Sequence, residues 1–170
     1  MSGKQRKLGI LGKINSGFGI KGEMKIERRA WINVKSKHLV NVCRFLRDEG
    51  FAHLSAISAT DLLKKGKFEI LYHLWSYKDR MLLTVKTGVG RKKPAIESVV
   101  PVWEAAGIHE RELHEFFGIN FRGNPDLSEL FLEGWEELPP FRKDFDRGGY
   151  LKKEYDSENE RDRVYLEDEK

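Results

Sequence analysis

The chain has 170 residues, which favours a single domain with room for a short tail. Its 31 Lys and Arg against 27 Asp and Glu leave a net charge of +4, too small an excess to select nucleic acid, anionic lipid or an acidic protein as partner. The one cysteine, Cys43, excludes an internal disulfide, and one thiolate alone does not hold an iron–sulfur cluster or a Cys-type structural zinc. No stretch approaches 18 uncharged apolar residues and the N-terminus has no apolar signal core, so we expect no direct membrane span.

The first 22 residues are rich in glycine and lysine and contain a literal G-x-G-x-x-G pattern over residues 17–22. A dinucleotide site needs a helix directly after this pattern, because the pyrophosphate binds at the helix N-terminus. Residues 23–34 instead alternate apolar and polar side chains, which predicts a half-buried strand. We therefore interpret residues 1–22 as a flexible loop or turn and not as a nucleotide site.

The middle of the chain contains one predicted helix and several predicted strands. Residues 36–49 carry an apolar stripe with helical spacing. A short strand over residues 51–58 follows, and residues 67–77 and 80–87 form a predicted hairpin. These elements predict an α+β fold in which helices pack on a small mixed or antiparallel sheet.

Two helical stretches are predicted before the chain loses its periodicity. After a loop over residues 88–97, residues 98–106 have a helical pattern. Gly107 interrupts this pattern, and a second helical stretch over residues 108–117 ends at Gly118.

Beyond residue 122 neither the helical nor the strand period persists, and prolines alternate with large aromatic side chains. Aromatic residues in such an extended segment must pack on the parent domain or on a partner. The last 20 or so residues alternate charges without an apolar core, and we expect them to be mobile unless bound. The chain therefore divides into an α+β domain over residues 1–122 and an extended C-terminal tail over residues 123–170.

The sequence HERELHEFFGI, residues 109–119, has the composition of a zinc-hydrolase helix. A zinc pair on one helix needs two histidines at i and i+4, about 40° apart around the helix axis. His109 and His114 are five residues apart and therefore about 140° apart, which excludes a shared ion on an unbroken helix. No P-loop and no nucleophile elbow is present, and we predict no catalytic residue in this chain.

The same stretch predicts an amphipathic helix whose inward stripe consists of three apolar residues: Leu113, Phe116 and Phe117. Glu110 with His114, and Arg111 with Glu115, are i,i+4 neighbours that this pattern places on the outer faces. In one interpretation these charges form a solvated face, where each pair contributes a few tenths of a kcal/mol. In the other they are fixed charges that meet a partner.

Three linked motifs are specific enough to indicate a family. Residues 110–119 (ERELHEFFGI) are followed by residues 121–127 (FRGNPDL) and by residues 139–145 (PPFRKDF). This order and spacing resembles the complex I 30-kDa subunit family of the NADH:quinone oxidoreductases. The resemblance covers about residues 106–145, and the predicted elements before it fit the α+β domain of the same family.

Within the family, the details resemble most the corresponding subunit of archaeal membrane-bound energy-converting [NiFe] hydrogenases. Glu115 stands where many members carry Asp, which keeps the charge. Asn124 stands where many quinone-linked members carry His, and a double proline precedes Phe141.

The resemblance implies an accessory, structural subunit without a cofactor of its own. It would lie in the hydrophilic arm of a membrane-bound, ion-translocating, ferredoxin-dependent [NiFe] hydrogenase, peripheral at the cytoplasmic face of the cell membrane, with its C-terminal tail wrapped over a partner. Its implied partners are the large [NiFe]-hydrogenase-like subunit, a small iron–sulfur subunit and membrane-arm subunits, which would carry the nickel–iron site and the iron–sulfur clusters. The signature residues implied at an interface, or in clasping the domain, are Glu110, Arg111, Glu112, Glu115, Gly118, Pro125, Arg142, Lys143 and Asp144.

Other functions remain open at the level of sequence. The equivalent subunit of an NADH:quinone oxidoreductase, an F420H2 dehydrogenase or a sulfur-reducing relative is hardly separable from the hydrogenase subunit. A basic nucleic-acid-binding module would suit the pI of about 9.1, although such grooves interleave basic residues with exposed aromatics and residues 1–22 offer only Phe18. A free-standing metallohydrolase is disfavoured by the histidine spacing.

Overall fold

The computed structural model describes residues 3–154, with side chains from residue 9 onward. Helices and strands follow in the order α1 (Gly3–Phe18), β1 (Gly22–Ile26), β2 (Arg29–Asn33), α2 (Leu39–Asp48), β3 (His53–Leu62), β4 (Lys67–Ser76), β5 (Met81–Gly90), β6 (Ala95–Glu97), α3 (Ala106–Phe117) and β7 (Asn120–Arg122). The predicted α+β class is confirmed. In the part of the chain described, no helix is both long and apolar enough to cross a membrane.

Five of the strands form one mixed sheet in the order β1-β2-β5-β4-β3. Neighbouring strands are antiparallel except β2 and β5, which run parallel. The predicted hairpin is confirmed, because β4 and β5 pair from Lys67 opposite Gly90 to Ser76 opposite Met81. The strands β6 and β7 form a separate parallel pair.

One face of the sheet and the apolar stripe of α2 form the core. Strict alternation along β4 points every second side chain inward, and α2 meets them with residues at helical spacing. Each fully buried large apolar side chain contributes roughly 1.5–3 kcal/mol to folding. The buried residues of these two elements include Phe68, Ile70, Tyr72, Leu74, Leu39, Val42, Cys43 and Leu46.

The helix α1 contradicts the loop predicted over residues 1–22. It packs on the core through Ile10 and Ile14, which lie one helical turn apart and are buried. Several glycines lower its intrinsic helix propensity, and packing overrides that preference. The last glycine of the G-x-G-x-x-G pattern, Gly22, begins β1, where a Cβ atom would collide with the side chain of Leu11. Of the three glycines in the pattern, Gly22 alone marks a close approach of helix and strand, since a Cβ atom at Gly17 or Gly19 would have no neighbour within 4 Å.

Three other predicted boundaries differ from the structure. The single strand over residues 23–34 is two strands joined at Arg28, which has a φ of 66°. The strand after α2 continues beyond the predicted end to Leu62. The helix predicted over residues 98–106 is mostly a series of turns, because Pro101 lacks an N–H and disfavours helical backbone before it. As a result α3 begins at Ala106 and includes Gly107.

Beyond β7 the chain runs over α3 and towards the end of β3 without forming a further strand, and residues 147–154 are helical. The backbone N–H of Phe141 donates to Phe116 O (3.0 Å), and that of Lys143 donates to Asp61 Oδ2 (2.9 Å). Residues 123–145, called the C-terminal segment below, are therefore attached to the domain. The boundary at residue 122 stays a prediction, and the rest of the predicted tail, residues 155–170, lies outside the described residues.

Candidate partner interface

The signature residues predicted from sequence lie mainly on α3 and at the end of the C-terminal segment. Four of them join these two parts of the chain: Glu110, Arg111, Glu115 and Gly118. Three others, Arg142, Lys143 and Asp144, belong to contacts between the C-terminal segment and the end of the sheet. The contacts are of three kinds: a buried carboxylate beneath α3, hydrogen bonds from the outer side of α3, and an ion-pair cluster at the end of the sheet.

Glu110 is the buried carboxylate, with no exposed surface. Its Oε2 accepts hydrogen bonds from Ser98 Oγ (2.7 Å) and Asn124 Nδ2 (3.0 Å), and its Oε1 accepts one from Val99 N (2.8 Å). Burial raises the pKa of Glu110, and these three donors oppose the rise. Glu110 thereby joins the loop before α3 and the beginning of the C-terminal segment to the helix.

The predicted outward position of Glu110 is wrong for a geometric reason. Ala106, Glu110, Leu113 and Phe117 are spaced by four, three and four residues, so they share one stripe of the helix, and all four are buried. A charged residue in register with that apolar stripe is the signal in the sequence for a buried carboxylate. Phe116, which the sequence pattern places inward, is only half-buried and contacts the C-terminal segment.

Arg111 and Glu115, on the outer side of α3, form hydrogen bonds with the C-terminal segment. Arg111 donates to Ser128 O (2.8 Å), to Asp126 Oδ2 (3.1 Å) and to the carbonyl oxygen of Glu129. The Glu115 carboxylate accepts the backbone N–H groups of three consecutive residues, at 2.8–3.1 Å: Leu130, Phe131 and Leu132. Desolvation alone would raise the pKa of Glu115, but these donors outweigh it and the pKa is lowered.

Four charged residues, called the Asp61 clasp below, fasten the end of the C-terminal segment: Asp61, Arg91, Arg142 and Asp144. Arg91 donates to both oxygens of Asp61 (2.8 and 2.9 Å) and to both oxygens of Asp144 (3.2 and 2.6 Å). Arg142 binds Asp144 more loosely, at 3.2 and 3.4 Å. Bidentate arginine–carboxylate pairs combine strength with a fixed geometry. The clasp therefore fixes the position of residues 142–144 against β3 and β5.

The electrostatics of the clasp favour its charged form. The Asp61 side chain is 1% exposed and that of Arg91 is 11% exposed. Burial alone would raise the pKa of Asp61, but the hydrogen bonds from Arg91 and from the Lys143 backbone lower it overall. The hydrogen bonds from Arg91 and Arg142 hold the pKa of Asp144 well below its usual value. The Arg91 guanidinium also lies over the Phe68 ring, 5.5 Å from its centroid.

Three phenylalanines form an aromatic stack on the outside of this attachment: Phe116, Phe131 and Phe141. The Phe116 ring lies 4.4 Å from Phe141 and 5.8 Å from Phe131, with interplanar angles of 11° and 13°. The outer rings are 66% exposed at Phe131 and 55% exposed at Phe141. The stack is therefore ordered by its own contacts while much of its apolar surface faces solvent.

Gly118 makes the turn that brings this segment back over α3. It ends the helix with a φ of 72°, and its N–H donates to His114 O (2.8 Å). A Cβ atom at Gly118 would lie 3.2 Å from Pro139 Cγ, closer than most van der Waals contacts. The left-handed conformation favours glycine at this signature position, and the nearby proline leaves little space for a side chain.

The other predicted signature residues form few or no polar side-chain contacts with the rest of the described chain. Glu112 is half-buried and Pro125 is exposed, and neither side chain forms a hydrogen bond or ion pair within residues 3–154. The Lys143 side chain is exposed while its backbone N–H binds the clasp. His114 donates through Nδ1 to Ile119 O (2.9 Å). Among the described residues no three His, Cys, Asp or Glu side chains are placed to share a metal ion.

Sequence reasoning misses Asp61 and Arg91, the two innermost members of the clasp. They are 30 residues apart in the chain, and Arg91 is 53 residues from Asp144. The predicted strand over residues 51–58 ends too early to include Asp61. A longer β3 would show a carboxylate among inward-facing positions, which indicates a buried ion pair.

Comparison with known proteins decides the family. The sequence profile of the respiratory-chain NADH dehydrogenase 30 Kd subunit matches residues 32–151 of this chain. The chain belongs to this family. The matched region includes α3, the clasp and the whole C-terminal segment, so this segment is part of the family domain as the profile defines it. It leaves out α1 and β1.

Individual relatives agree with the family assignment. The corresponding subunit of the NADH-quinone oxidoreductase of Roseiflexus castenholzii is 36% identical over 122 residues, covering 69% of this chain and 70% of the relative. The NADH-ubiquinone oxidoreductase subunit 9 of Reclinomonas americana is 35% identical over 152 residues, covering 87% and 71%. The resemblance to the 30-kDa subunit family is thus confirmed, and the chain is a 30-kDa-type subunit of a respiratory oxidoreductase complex.

A solved structure is similar over most of the molecule. A chain of the archaeal membrane-bound sulfane sulfur reductase, a respiratory membrane complex, superimposes with a TM-score of 0.82 at 28% identity. The match covers 89% of this 30-kDa-family chain and 92% of the reductase chain. The similarity therefore extends beyond the sheet and into the C-terminal region.

Proposed function

We propose that this chain is a structural, cofactor-free subunit in the hydrophilic arm of a membrane-bound, ion-translocating, ferredoxin-dependent [NiFe] hydrogenase. In this proposal it packs against the large catalytic subunit, beside a small iron–sulfur subunit and membrane-arm subunits that hold or serve the redox centres. It lies peripherally at the cytoplasmic face of the membrane, and nucleic acid is not among its partners.

The observation that carries the docking role in this proposal is the exposed aromatic stack on a fixed C-terminal segment. Phe131 and Phe141 expose most of their rings, although an unassembled protein seldom leaves neighbouring large apolar side chains in solvent. Aromatic anchors of this kind contribute most of the binding energy in many protein interfaces. Because Glu115 and the clasp already hold the segment, little conformational entropy remains to be lost on docking.

The chemistry of the single thiol supports a role without a redox centre. Cys43 is fully buried in the core, and burial raises the pKa of its thiol well above the usual value. Thiolates ligate iron and exchange electrons in their ionised form. The proposal therefore places the nickel–iron site and the iron–sulfur clusters in partner chains.

A second candidate is the corresponding subunit of a sulfur-reducing complex. The similarity to the chain of the archaeal sulfane sulfur reductase, with a TM-score of 0.82, favours it. Both candidates use the same docking surface and differ in the reaction of the large partner. Purification of the native complex with mass spectrometry of its subunits, followed by assays of ferredoxin-dependent hydrogen evolution and sulfur reduction, separates them.

Substitution of one outer ring tests the docking role. Phe131→Ser removes a largely exposed ring that stacks on Phe116, so the isolated chain should lose at most about 1.5 kcal/mol of stability and stay folded. We expect its affinity for the co-expressed large subunit to fall about 30-fold, which corresponds to a loss of about 2 kcal/mol at an interface anchor.

The matched control is Tyr77→Ser, because Tyr77 is 70% exposed and lies in the turn between β4 and β5. This variant should bind the large subunit like the wild type. Equal affinities for Phe131→Ser and the wild type would reject the aromatic stack as the docking surface.

A further inference from the structure

One end of the sheet carries six lysines whose side chains have no counter-ion in the described part of the chain. Five of them are exposed and Lys67 is half-buried. Their side chains form no ion pair or hydrogen bond within residues 3–154. We call this surface the basic end, and its lysines are Lys64, Lys65, Lys67, Lys92, Lys93 and Lys143.

The fold assembles the basic end from three separate stretches of sequence. Lys64 and Lys65 lie in the short 3-10 turn between β3 and β4. Lys92 and Lys93 follow β5, whose end is fixed at this turn by the hydrogen bond from Arg91 N to Gly66 O (3.0 Å). The C-terminal segment adds the third stretch, where a backbone hydrogen bond places Lys143 beside Asp61.

The carboxylates at this end do not neutralise the lysines. Asp61 and Asp144 are already bonded to Arg91, and Arg142 binds Asp144 as well. Two arginines thus balance two aspartates, and the six lysines remain as the excess charge. Glu69, two positions beyond Lys67 on the same face of β4, forms no ion pair with these lysines among the described residues, and its charge leaves a net excess of five at this end. Unpaired like charges held together repel one another, so their clustering points to a function in binding.

We propose that the basic end docks an acidic protein surface of the neighbouring large subunit, next to the site that receives the aromatic stack. This inference rests on the proposed function and adds the charge of the partner surface to it. The two surfaces are continuous, because Phe141 of the stack is two residues from Lys143 and the clasp holds both in place. The partner accordingly offers an apolar pocket flanked by Asp and Glu.

The composition of the basic end favours a protein over a nucleic acid or a membrane. Binding of single-stranded nucleic acid interleaves exposed aromatic rings with basic residues along one groove. Here the exposed rings, Phe131 and Phe141, pack together on Phe116, and the ring among the basic residues, Phe68, is buried beneath Arg91 and Arg142. A membrane-surface site combines lysines with a broad apolar face, whereas the exposed large apolar residue of this turn is a single leucine, Leu63. Hydrated lysines around an apolar anchor instead match the charged rim of a protein interface.

Charges at the rim of an interface mainly affect the association rate constant. The test therefore measures this rate constant for variants of the basic end. The association rate constant of the chain with a purified subcomplex containing the large subunit is measured at about 50 mM and about 300 mM salt. In the variant Lys64→Glu with Lys65→Glu, we expect this rate constant to fall about tenfold at the lower salt concentration. The difference should shrink at the higher salt concentration, and the dissociation rate constant should change little.

A charge-matched control lies at the other end of the same hairpin. Lys78→Glu with Arg80→Glu changes two exposed cations in the turn between β4 and β5. Since β4 has ten residues, the two turns are about 30 Å apart. The control should associate at the wild-type rate, and equal urea midpoints for both variants will show that each one folds.

The possible results separate the inference from the function on which it rests. Absence of any association by the wild type overturns the proposed function together with this inference. Wild-type association with an unchanged rate for Lys64→Glu with Lys65→Glu overturns the inference alone. The inference is also overturned by another result: the wild type binds phosphatidylglycerol–phosphatidylcholine vesicles or DNA in a salt-sensitive way, the variant loses this binding, and the variant still assembles normally with the large subunit.

Discussion

Two buried carboxylates, Glu110 and Asp61, satisfy their oxygens in different ways. Glu110 has neutral donors, namely a hydroxyl, an amide and a backbone N–H, while Asp61 has the guanidinium of Arg91. Neutral donors offset desolvation only in part, so the pKa of Glu110 is raised. A paired cation favours the charged form, so the pKa of Asp61 is lowered. The type of donor therefore decides how each residue responds to pH.

At this scale the clasp predicts a large stability difference between two arginine substitutions. Arg91→Ala leaves the Asp61 carboxylate buried without its cation, and we expect a loss of about 3 kcal/mol. Arg122→Ala removes an ion pair with Glu97 whose two side chains are both more than half exposed, so its loss should be below about 1 kcal/mol. Urea unfolding of the two variants measures both, and equal losses would contradict a buried clasp.

Among the elements, α3 has one glycine near its start and is followed by another, and the two have opposite environments. Gly118 ends the helix in left-handed backbone beside Pro139, whereas Gly107 lies in the first turn with a distance of 3.8 Å between an added Cβ and Val100 Cγ2. Gly118→Ala should destabilise the chain by about 1–2 kcal/mol. Gly107→Ala should stabilise it by about 0.5–1 kcal/mol, because alanine has the higher helix propensity.

Thermal or urea unfolding gives the sign of each change. Destabilisation by Gly107→Ala would mean that the beginning of α3 is more tightly packed than the structure indicates. A neutral Gly118→Ala would mean that the C-terminal segment does not press on the end of the helix.

A helix or strand can be predicted from sequence when the interactions that form it lie close together in the chain. The β4–β5 hairpin and α3 are predictable because alternation, helical spacing and a glycine stop are all local signals. The helix α1 is not, because its glycines oppose a helix and its packing on the core, through residues that include Ile10, Ile14 and Phe18, stabilises it. The clasp is not predictable either, because its residues are 30 and 53 positions apart, a separation that no local period encodes.

For the whole molecule, the lowered carboxyl pKa values predict acid sensitivity. Asp61, Asp144 and Glu115 have folded-state pKa values below their ordinary values of 3.8 for Asp and 4.5 for Glu. Their contribution to the free energy of unfolding is complete above these ordinary values and is lost as the pH falls through and below them. Glu110 has the opposite sign, since its raised pKa makes the folded state bind a proton first.

Urea midpoints measured from pH 7 to pH 3 check this balance. We expect a fall that begins near the ordinary carboxyl pKa values and is shallower in Asp61→Asn, which no longer has the titrating group. The comparison for a surface carboxylate is Asp126→Asn. Hydrogen bonds from Ser128 and the charge of Arg111 lower the pKa of Asp126 as well, but this residue is exposed, so its substitution should flatten the acid dependence less than Asp61→Asn does. If Asp61→Asn keeps the full acid dependence, the clasp does not cause it.

The bond from Lys143 to Asp61 also has a consequence for the order of folding. It joins residues 82 positions apart, so forming it closes a very long loop and has a high entropy cost if β3 and β5 are not yet in place. During synthesis from the N-terminus, residues 142–144 leave the ribosome after all the strands of the sheet. The segment that carries the aromatic stack is therefore expected to settle last, so that the docking surface is completed only when the sheet has already formed.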